Sequence, residues 1–234
     1  MIEKNIFQSW HTRNLHPYVQ EKIDTYKRLN PTYTYHLYTD EDMDQFVNEY
    51  YKGEIADCYN RLNIIVAKVD FWRYLVLYHY GGVYLDMDSS IEQPLDTLIT
   101  EEDDAILSAE GCPGLYVQWA LIYCKGHPIL KRTIELVVEN IKTNRFPNDI
   151  HKMTGPSVYS RAINETHTAL FRTIIHHEKI KKHTDHTYRC NDIMYRLYGI
   201  DYHPQFLFQH SGTALLYHNK KNWRMEEKEK PLLQ

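Results

Sequence analysis

A chain of 234 residues, 43% hydrophobic and 25% charged, has enough apolar material for one large packed domain and is not a disordered polymer. Lys and Arg total 27 against 31 Asp and Glu, a net charge of −4 without a polybasic block, so the balance excludes a nucleic-acid partner. No segment approaches the ~20 apolar residues of a membrane-spanning helix, which leaves at most a peripheral membrane contact. Cys58, Cys112, Cys124 and Cys190 are scattered without a C-x-x-C pair, and no apolar leader follows Met1, so the expected compartment is reducing and cytoplasmic.

In chain order, Ile6-Phe7-Gln8-Ser9-Trp10 reads as a short strand. A loop leads through Pro17 into a helix over roughly residues 17–29, stopped at Asn30-Pro31 because the residue before a proline is pushed out of the helical region. Thr34-Tyr35-His36-Leu37-Tyr38 has strand composition, and Thr39-Asp40-Glu41-Asp42 has the composition of a helix start. From Asn63 to Tyr80, Ile64, Ala67, Phe71, Tyr74, Leu75 and Tyr78 recur at three- and four-residue steps, predicting a helix that Gly81-Gly82 ends. Val83 to Asp88 predicts a strand with Val83, Leu85 and Met87 on one face and Tyr84, Asp86 and Asp88 on the other. Glu101-Glu102-Asp103-Asp104 reads as a solvated loop and Ala105 to Ala109 as a strand. Helices are expected over roughly residues 128–143 and 157–164, and a last strand from Ala214 to His218. Alternating strands and helices place the chain in the α/β class.

The sharpest chemical feature is Asp86-x-Asp88, whose hard carboxylate oxygens can hold Mg²⁺ or Mn²⁺ against a phosphorylated ligand. Asp70 and Arg73, at i and i+3 on the preceding helix, share a face, and Gly81-Gly82 allow a tight return to the carboxylate strand. Four polar groups are thereby expected at one ligand. A surface ion pair plus two solvated aspartates would be worth little stability and fits poorly within an otherwise apolar helix and strand.

The block from Ala67 to Tyr74, A-K-V-D-F-W-R-Y, followed by Tyr80 to Asp88, Y-G-G-V-Y-L-D-M-D, resembles the signature of the DXD-containing glycosyltransferases of family 32. That family includes the yeast initiating α-mannosyltransferases, and the spacing is similar to that of the glucosylating clostridial toxins. Phe7-Gln8-Ser9-Trp10, Asn30-Pro31 with Leu37-Tyr38-Thr39-Asp40, Gly126-His127-Pro128, Thr154-Gly155-Pro156 and His218 with Asn222-Trp223 resemble further family segments. Asn222 stands where a serine is usual, and Gln118-Trp119-Ala120 where an asparagine is often found.

The resemblance implies a GT-A fold as a single domain over residues 1–234. About 1–110 would form a Rossmann-like nucleotide-sugar half with a mixed central sheet, and about 111–234 a helical acceptor-side half. It implies a retaining hexosyltransferase using Mn²⁺ or Mg²⁺, a nucleotide-diphosphate sugar donor (a UDP-sugar favoured, GDP-mannose as the alternative) and a glycan hydroxyl acceptor. Trp10 would stack on the base, with Ser9 beside it. Asp70 and Arg73 would grip the sugar, and Tyr84 and Asp86 would line the donor site. Asp86, Asp88 and His218 would form the metal site, and Trp223 would donate its indole N–H to the diphosphate.

Two other readings compete. A haloacid-dehalogenase-like phosphatase would use Asp86 as nucleophile and Asp88 as second acid, but leaves Asp70, Arg73 and Gly81-Gly82 without roles. A non-catalytic sugar-binding module would use the aromatics and carboxylates without turnover. His176, His177, His183 and His186 read as a surface segment rather than ligands, and the mixed-charge run from Arg224 to Lys230 as a solvated helix or a cover over the active site.

Overall fold

The computed structural model of the protein describes residues 1–109, 114–166, 172–175, 181–184, 187–190, 193–196, 200–201, 208–210 and 223–234. Strand β1 (Asn5–Ser9), helix α1 (Pro17–Leu29) and strand β2 (Thr34–Tyr38) form a parallel βαβ unit in which Ile6 lies opposite Tyr35 and Ser9 opposite Tyr38. Pro17 opens α1 at a position where its missing N–H is no loss. Asn30 closes it: the side-chain amide donates to the Tyr26 carbonyl at 2.9 Å, and the side-chain oxygen accepts the Leu95 N–H at 2.7 Å.

Three helices follow β2 before the chain returns to the sheet. A capping box between Thr39 and Asp42 starts α2 (Asp40–Tyr50), α3 (Glu54–Arg61) follows, and α4 (Ile65–Tyr80) buries Ala67 and the unbroken run from Asp70 to Leu77. Such all-round burial marks a helix enclosed by the fold rather than lying on it. Helix α3 carries no sequence signal. It is eight residues long and buries only Ala56, Cys58 and Tyr59, too few positions to display a helical period.

Gly81 and Gly82 carry φ values of +69° and +117°. A Cβ on Gly82 would lie 2.6 Å from the Asn5 carbonyl oxygen, so this glycine is where α4 hands over to a strand pressed directly against β1. Gly82→Ala should lower the unfolding free energy by about 2 kcal/mol through backbone strain and that clash. A urea titration checks this, and an unchanged midpoint would show that the handover relaxes freely.

Strand β3 (Gly82–Leu85) runs parallel to β1 and antiparallel to β6 (Ala120–Tyr123). With β5 (Ala105–Ala109), β7 (Arg172–Ile175) and β11 (Ile200–Asp201), these build a mixed seven-stranded sheet in the order β11-β7-β5-β6-β3-β1-β2. The α/β class and a mixed central sheet agree with the sequence reading, but the sheet is not confined to the first 110 residues: β6, β7 and β11 come from the second half, which is therefore not simply helical. Strands β8 (Lys181–Thr184), β9 (Thr187–Cys190) and β10 (Ile193–Arg196) form a separate antiparallel sheet, and β4 (Ser89–Ile91) pairs with β12 (Phe208–His210). Alternation along the strands divides the core. Phe7, Tyr84, Leu107 and Leu121 pack toward α4 and α5 (Pro128–Lys142), while Ile6, Val83, Ile106 and Ile122 pack with Tyr26 of α1 and with Leu95 and Leu98.

The expected strand from Val83 to Asp88 is shorter than its alternation suggests. It ends at Leu85, and Asp86 to Ser89 form a turn closed by the Ser89 N–H on the Asp86 carbonyl at 3.0 Å. The acidic run is a loop, with Glu101 and Glu102 exposed. Asp103 departs from that reading: it is buried and accepts the Thr100 N–H and hydroxyl, both at 2.9 Å. Short helix α6 (Ile150–Met153) leads into α7 (Pro156–Glu165). The mixed-charge run is helical as α8 (Trp223–Glu229), whose Glu227 carboxylate accepts the Ile150 N–H at 2.7 Å. The segment after it is anchored too, since Leu232 is buried and its carbonyl accepts the Asn63 N–H at 2.9 Å. Among the described residues no helix is long and apolar enough to cross a membrane. The expected strand from Ala214 to His218 lies outside the described residues.

Candidate active site

Helix α4 and the turn after β3 bring Asp70, Arg73, Tyr84 and Asp86 together around one guanidinium. Arg73, 5% exposed, places Nη2 3.3 Å from Asp70 Oδ1 and 3.3 Å from Asp86 Oδ1. Its Nη1 donates to the Gln118 carbonyl at 3.1 Å, and the guanidinium lies over the Tyr84 ring at 4.6 Å. The Tyr84 hydroxyl donates to Asp86 Oδ1 at 2.6 Å. Ser9, at the end of β1, also hydrogen-bonds the Tyr84 hydroxyl. An arginine suits this place because its fork can serve two carboxylates and a carbonyl at once, which an ammonium cannot do in a plane.

The two carboxylates experience different surroundings. Asp70 accepts the Thr154 hydroxyl at 3.2 Å and its side chain is 6% exposed, whereas the Asp86 side chain is 28% exposed. Burial pushes the Asp70 carboxyl up to about 6 from the ordinary 3.8, against the opposing pull of Arg73 and with a further push from Asp86. Burial alone would lower the Arg73 guanidinium, yet the surrounding Asp86, Tyr84 and Asp70 raise it, so it stays charged.

The folded chain therefore holds the Asp70 proton between about pH 4 and pH 6 while the unfolded chain has lost it, and the penalty for burying the anion is complete only above pH 6. Asp70→Asn removes this titration. The variant's stability relative to the parent should rise on going from pH 4 to pH 7, as read from paired thermal melts, and a flat difference would contradict the raised carboxyl.

Asp88 sits in the turn and is 6% exposed. Met87 between the aspartates packs with Val19 and Ile23 of α1, and Trp10 packs against the same small cluster. Trp10 follows β1, and its backbone N–H donates to the Tyr38 carbonyl at 2.9 Å. His218 and the Trp223 side chain lie outside the described residues. Among the described residues no group of three His, Cys, Asp or Glu side chains is gathered as a metal cage.

Two contributors were not among the residues picked from sequence. Gln118 offers only its backbone carbonyl to Arg73, which leaves no trace in residue type, and its side chain reaches the Tyr74 hydroxyl. Thr154 belongs to a segment already noted, Thr154-Gly155-Pro156, and that segment was the available signal. Its carbonyl accepts the Tyr74 hydroxyl at 3.0 Å while its own hydroxyl serves Asp70.

Residues 16–105 match the family model for the glycosyltransferase sugar-binding region containing a DXD motif, a span that includes Asp70, Arg73, both glycines and both aspartates of the turn. Over that span the chain is similar to the DXD-containing sugar-binding region of glycosyltransferases. Over 196 residues it is 24% identical to an initiation-specific alpha-1,6-mannosyltransferase of Candida albicans, covering 72% of this chain and 51% of that protein. It is 30% identical over 136 residues to inositol phosphoceramide mannosyltransferase 1 of Schizosaccharomyces pombe, covering 57% of this chain and 42% of the relative. The chain thus spans about half, or less, of the length of these relatives. In three dimensions it superposes on the PaToxG glycosyltransferase with a TM-score of 0.55 at 19% identity, covering 70% and 69% of the two chains. The fold is the GT-A type, and within the DXD region the acidic turn lies at the C-terminal end of β3, the end of such a sheet where ligands bind.

Proposed function

We propose that this protein is a metal-dependent, retaining hexosyltransferase that moves a sugar from a nucleotide diphosphate onto a glycan hydroxyl, with residues 1–234 acting as one catalytic unit. The observation carrying this reading is the single guanidinium that spans Asp70 and Asp86 immediately before the Asp88 turn. It supplies a charged, hydrogen-bonding wall for a polyhydroxylated ligand next to a carboxylate pair suited to a diphosphate-bound cation.

The donor set fits Mn²⁺ or Mg²⁺. Both Asp86 and Asp88 offer hard oxygens, and Asp86 Oδ1 is already engaged by Tyr84 and Arg73, so Asp88 and the other Asp86 oxygen would hold the ion. A site with two protein carboxylates leaves the remaining positions to water and substrate phosphate, with His218 as the further candidate ligand. When bound, such an ion neutralises charge developing on the departing diphosphate.

The protein's own groups supply the rest. Trp10 stacks on the base, with Ser9 next to it, and the Trp223 indole serves the diphosphate. Asp70 and Arg73 take the sugar hydroxyls, and Asp86, with one oxygen on the ion and the other on Tyr84 and Arg73, lends negative potential beside the sugar, where a carboxylate favours oxocarbenium character. Same-face displacement, with the leaving phosphate assisting the acceptor hydroxyl, is the route that the resemblance to the family favours. The spacing of the signature favours a UDP-hexose. The relatives' names point to mannose, which makes GDP-mannose the second donor to test.

Calorimetric titration of nucleotide-sugars in Mn²⁺, followed by anomeric NMR of the product, tests the reading. The expected result is Mn²⁺-dependent binding of one donor and a product of unchanged anomeric configuration. Release of phosphate from a simple monoester, with no nucleotide-sugar bound, would establish the phosphatase reading instead.

A further inference from the structure

Gln8 is fully buried in β1, on a strand whose preceding residues Ile6 and Phe7 are both core. A carboxamide there is costly unless its groups are bonded, and an apolar side chain would fill the same space without that requirement. Both ends of the amide are used. Oε1 accepts the Tyr35 hydroxyl from β2 at 2.7 Å, and Nε2 donates to the Asp86 carbonyl at 3.1 Å.

That carbonyl is a focus. It also accepts the Ser89 N–H at 3.0 Å and the Ser89 hydroxyl at 2.6 Å, while the Tyr26 hydroxyl donates to the Ser89 carbonyl at 2.7 Å. From the other side, the Asp86 N–H donates to the Trp119 carbonyl at 2.8 Å. The backbone of Asp86 is thus fixed at both its N–H and its C=O, by groups from β1, the turn itself and the segment before β6. Of these, Gln8 is the one side chain reaching Asp86 from a neighbouring strand, and it is itself braced by a further strand through Tyr35.

We propose that Gln8, braced by Tyr35, is the positioning residue of the DXD turn: by holding the Asp86 carbonyl it sets the separation and direction of the Asp86 and Asp88 carboxylates. The inference rests on the reading that this turn holds the donor's divalent cation. Gln8 touches neither cation nor sugar. It acts through the peptide unit between Asp86 and Met87, whose rotation would swing Asp88 relative to Asp86. Outer partners that orient metal ligands typically change affinity by 10–100-fold when lost.

The test is Mn²⁺ affinity of the full chain without any nucleotide-sugar, read from the free-ion EPR signal, beside thermal melts of each variant. Gln8→Leu should weaken Mn²⁺ binding by about tenfold while melting cooperatively. Tyr35→Phe should weaken it by about threefold, since the brace acts indirectly. The double variant should bind no worse than Gln8→Leu, because Tyr35 works only through Gln8. A folded Gln8→Leu with the parent's affinity overturns the proposal. If Gln8→Leu does not fold, Tyr35→Phe decides in its place, and undiminished affinity there overturns it equally. Asp88→Asn separates this failure from that of the underlying reading: a parent-like Mn²⁺ affinity in Asp88→Asn would remove the cation site itself, whereas its loss alongside an unaffected Gln8→Leu would remove only the positioning role.

Discussion

Arg73→Met should destabilise the protein by about 3–5 kcal/mol at neutral pH, the usual loss when one member of a buried charge cluster is removed and its partners are left uncompensated. Methionine fills much of the arginine's volume, so the effect isolates charge rather than packing. The guanidinium faces Asp70 and Asp86 at 3.3 Å each and satisfies the Gln118 carbonyl, so its removal strands two carboxylates and one carbonyl. Asp70, already raised to about 6, would rise further without its counter-charge. The deficit should therefore shrink as the pH falls toward 5 and Asp70 takes a proton, and Asp70→Asn in the Arg73→Met background should recover a large part of it. Denaturant unfolding of the four members of this double-mutant cycle at pH 5 and pH 7.5 measures both effects. A deficit below about 1 kcal/mol, equal at the two pH values, would mean the cluster is screened by solvent as a surface pair is.

The second large effect is on turnover. Asp88→Asn keeps the shape of the side chain and removes the anionic oxygens, so the fold should still unfold in one cooperative step. Mn²⁺-dependent transfer or hydrolysis of the nucleotide-sugar should fall by about a thousandfold, equivalent to ~4 kcal/mol of lost stabilisation of the departing diphosphate. Initial rates across a Mn²⁺ titration distinguish a ligand from a bystander. A variant that merely needs more Mn²⁺ to reach the parent's maximum rate would make Asp88 a contributor to affinity alone.

Much of the fold could be read from punctuation. Pro17 and Asn30-Pro31 bracket α1, and Pro128 starts α5, because proline constrains the backbone in a way no packing overrides. Elements lacking such marks were harder to see. Strand β6 is four apolar residues without alternation, indistinguishable in sequence from a fragment of buried helix, and α3 is too short to show a period. The continued alternation through Met87 concealed the end of β3, since Met87 packs on a different cluster, with Val19 and Ile23, after the chain has turned.

Of the four polar groups expected together, Asp70, Arg73 and Asp86 meet around the guanidinium, with Tyr84 beside them, because their chemistry lies close in sequence. What sequence could not disclose are long-range partners, such as Thr154 on Asp70 across 84 residues and Gln8 on the Asp86 carbonyl across 78. These contacts are specified by sheet register and helix packing, which no local pattern encodes. Asp86 and Asp88 share one face of an extended strand by their spacing, whereas the turn leaves Asp86 half-buried and Asp88 buried.

A crystal structure of the protein with Mn²⁺ and a non-hydrolysable nucleotide-sugar tests the central claim most directly. The account predicts the cation on Asp88, diphosphate oxygens completing its shell, the base against Trp10, and sugar hydroxyls within hydrogen-bonding distance of Asp70 and Arg73. Contradiction would be the ligand bound away from the DXD turn, for instance in the 460 Å³ groove between β2 and α2 lined by Tyr38, Phe46 and Tyr80, with Asp86 and Asp88 untouched.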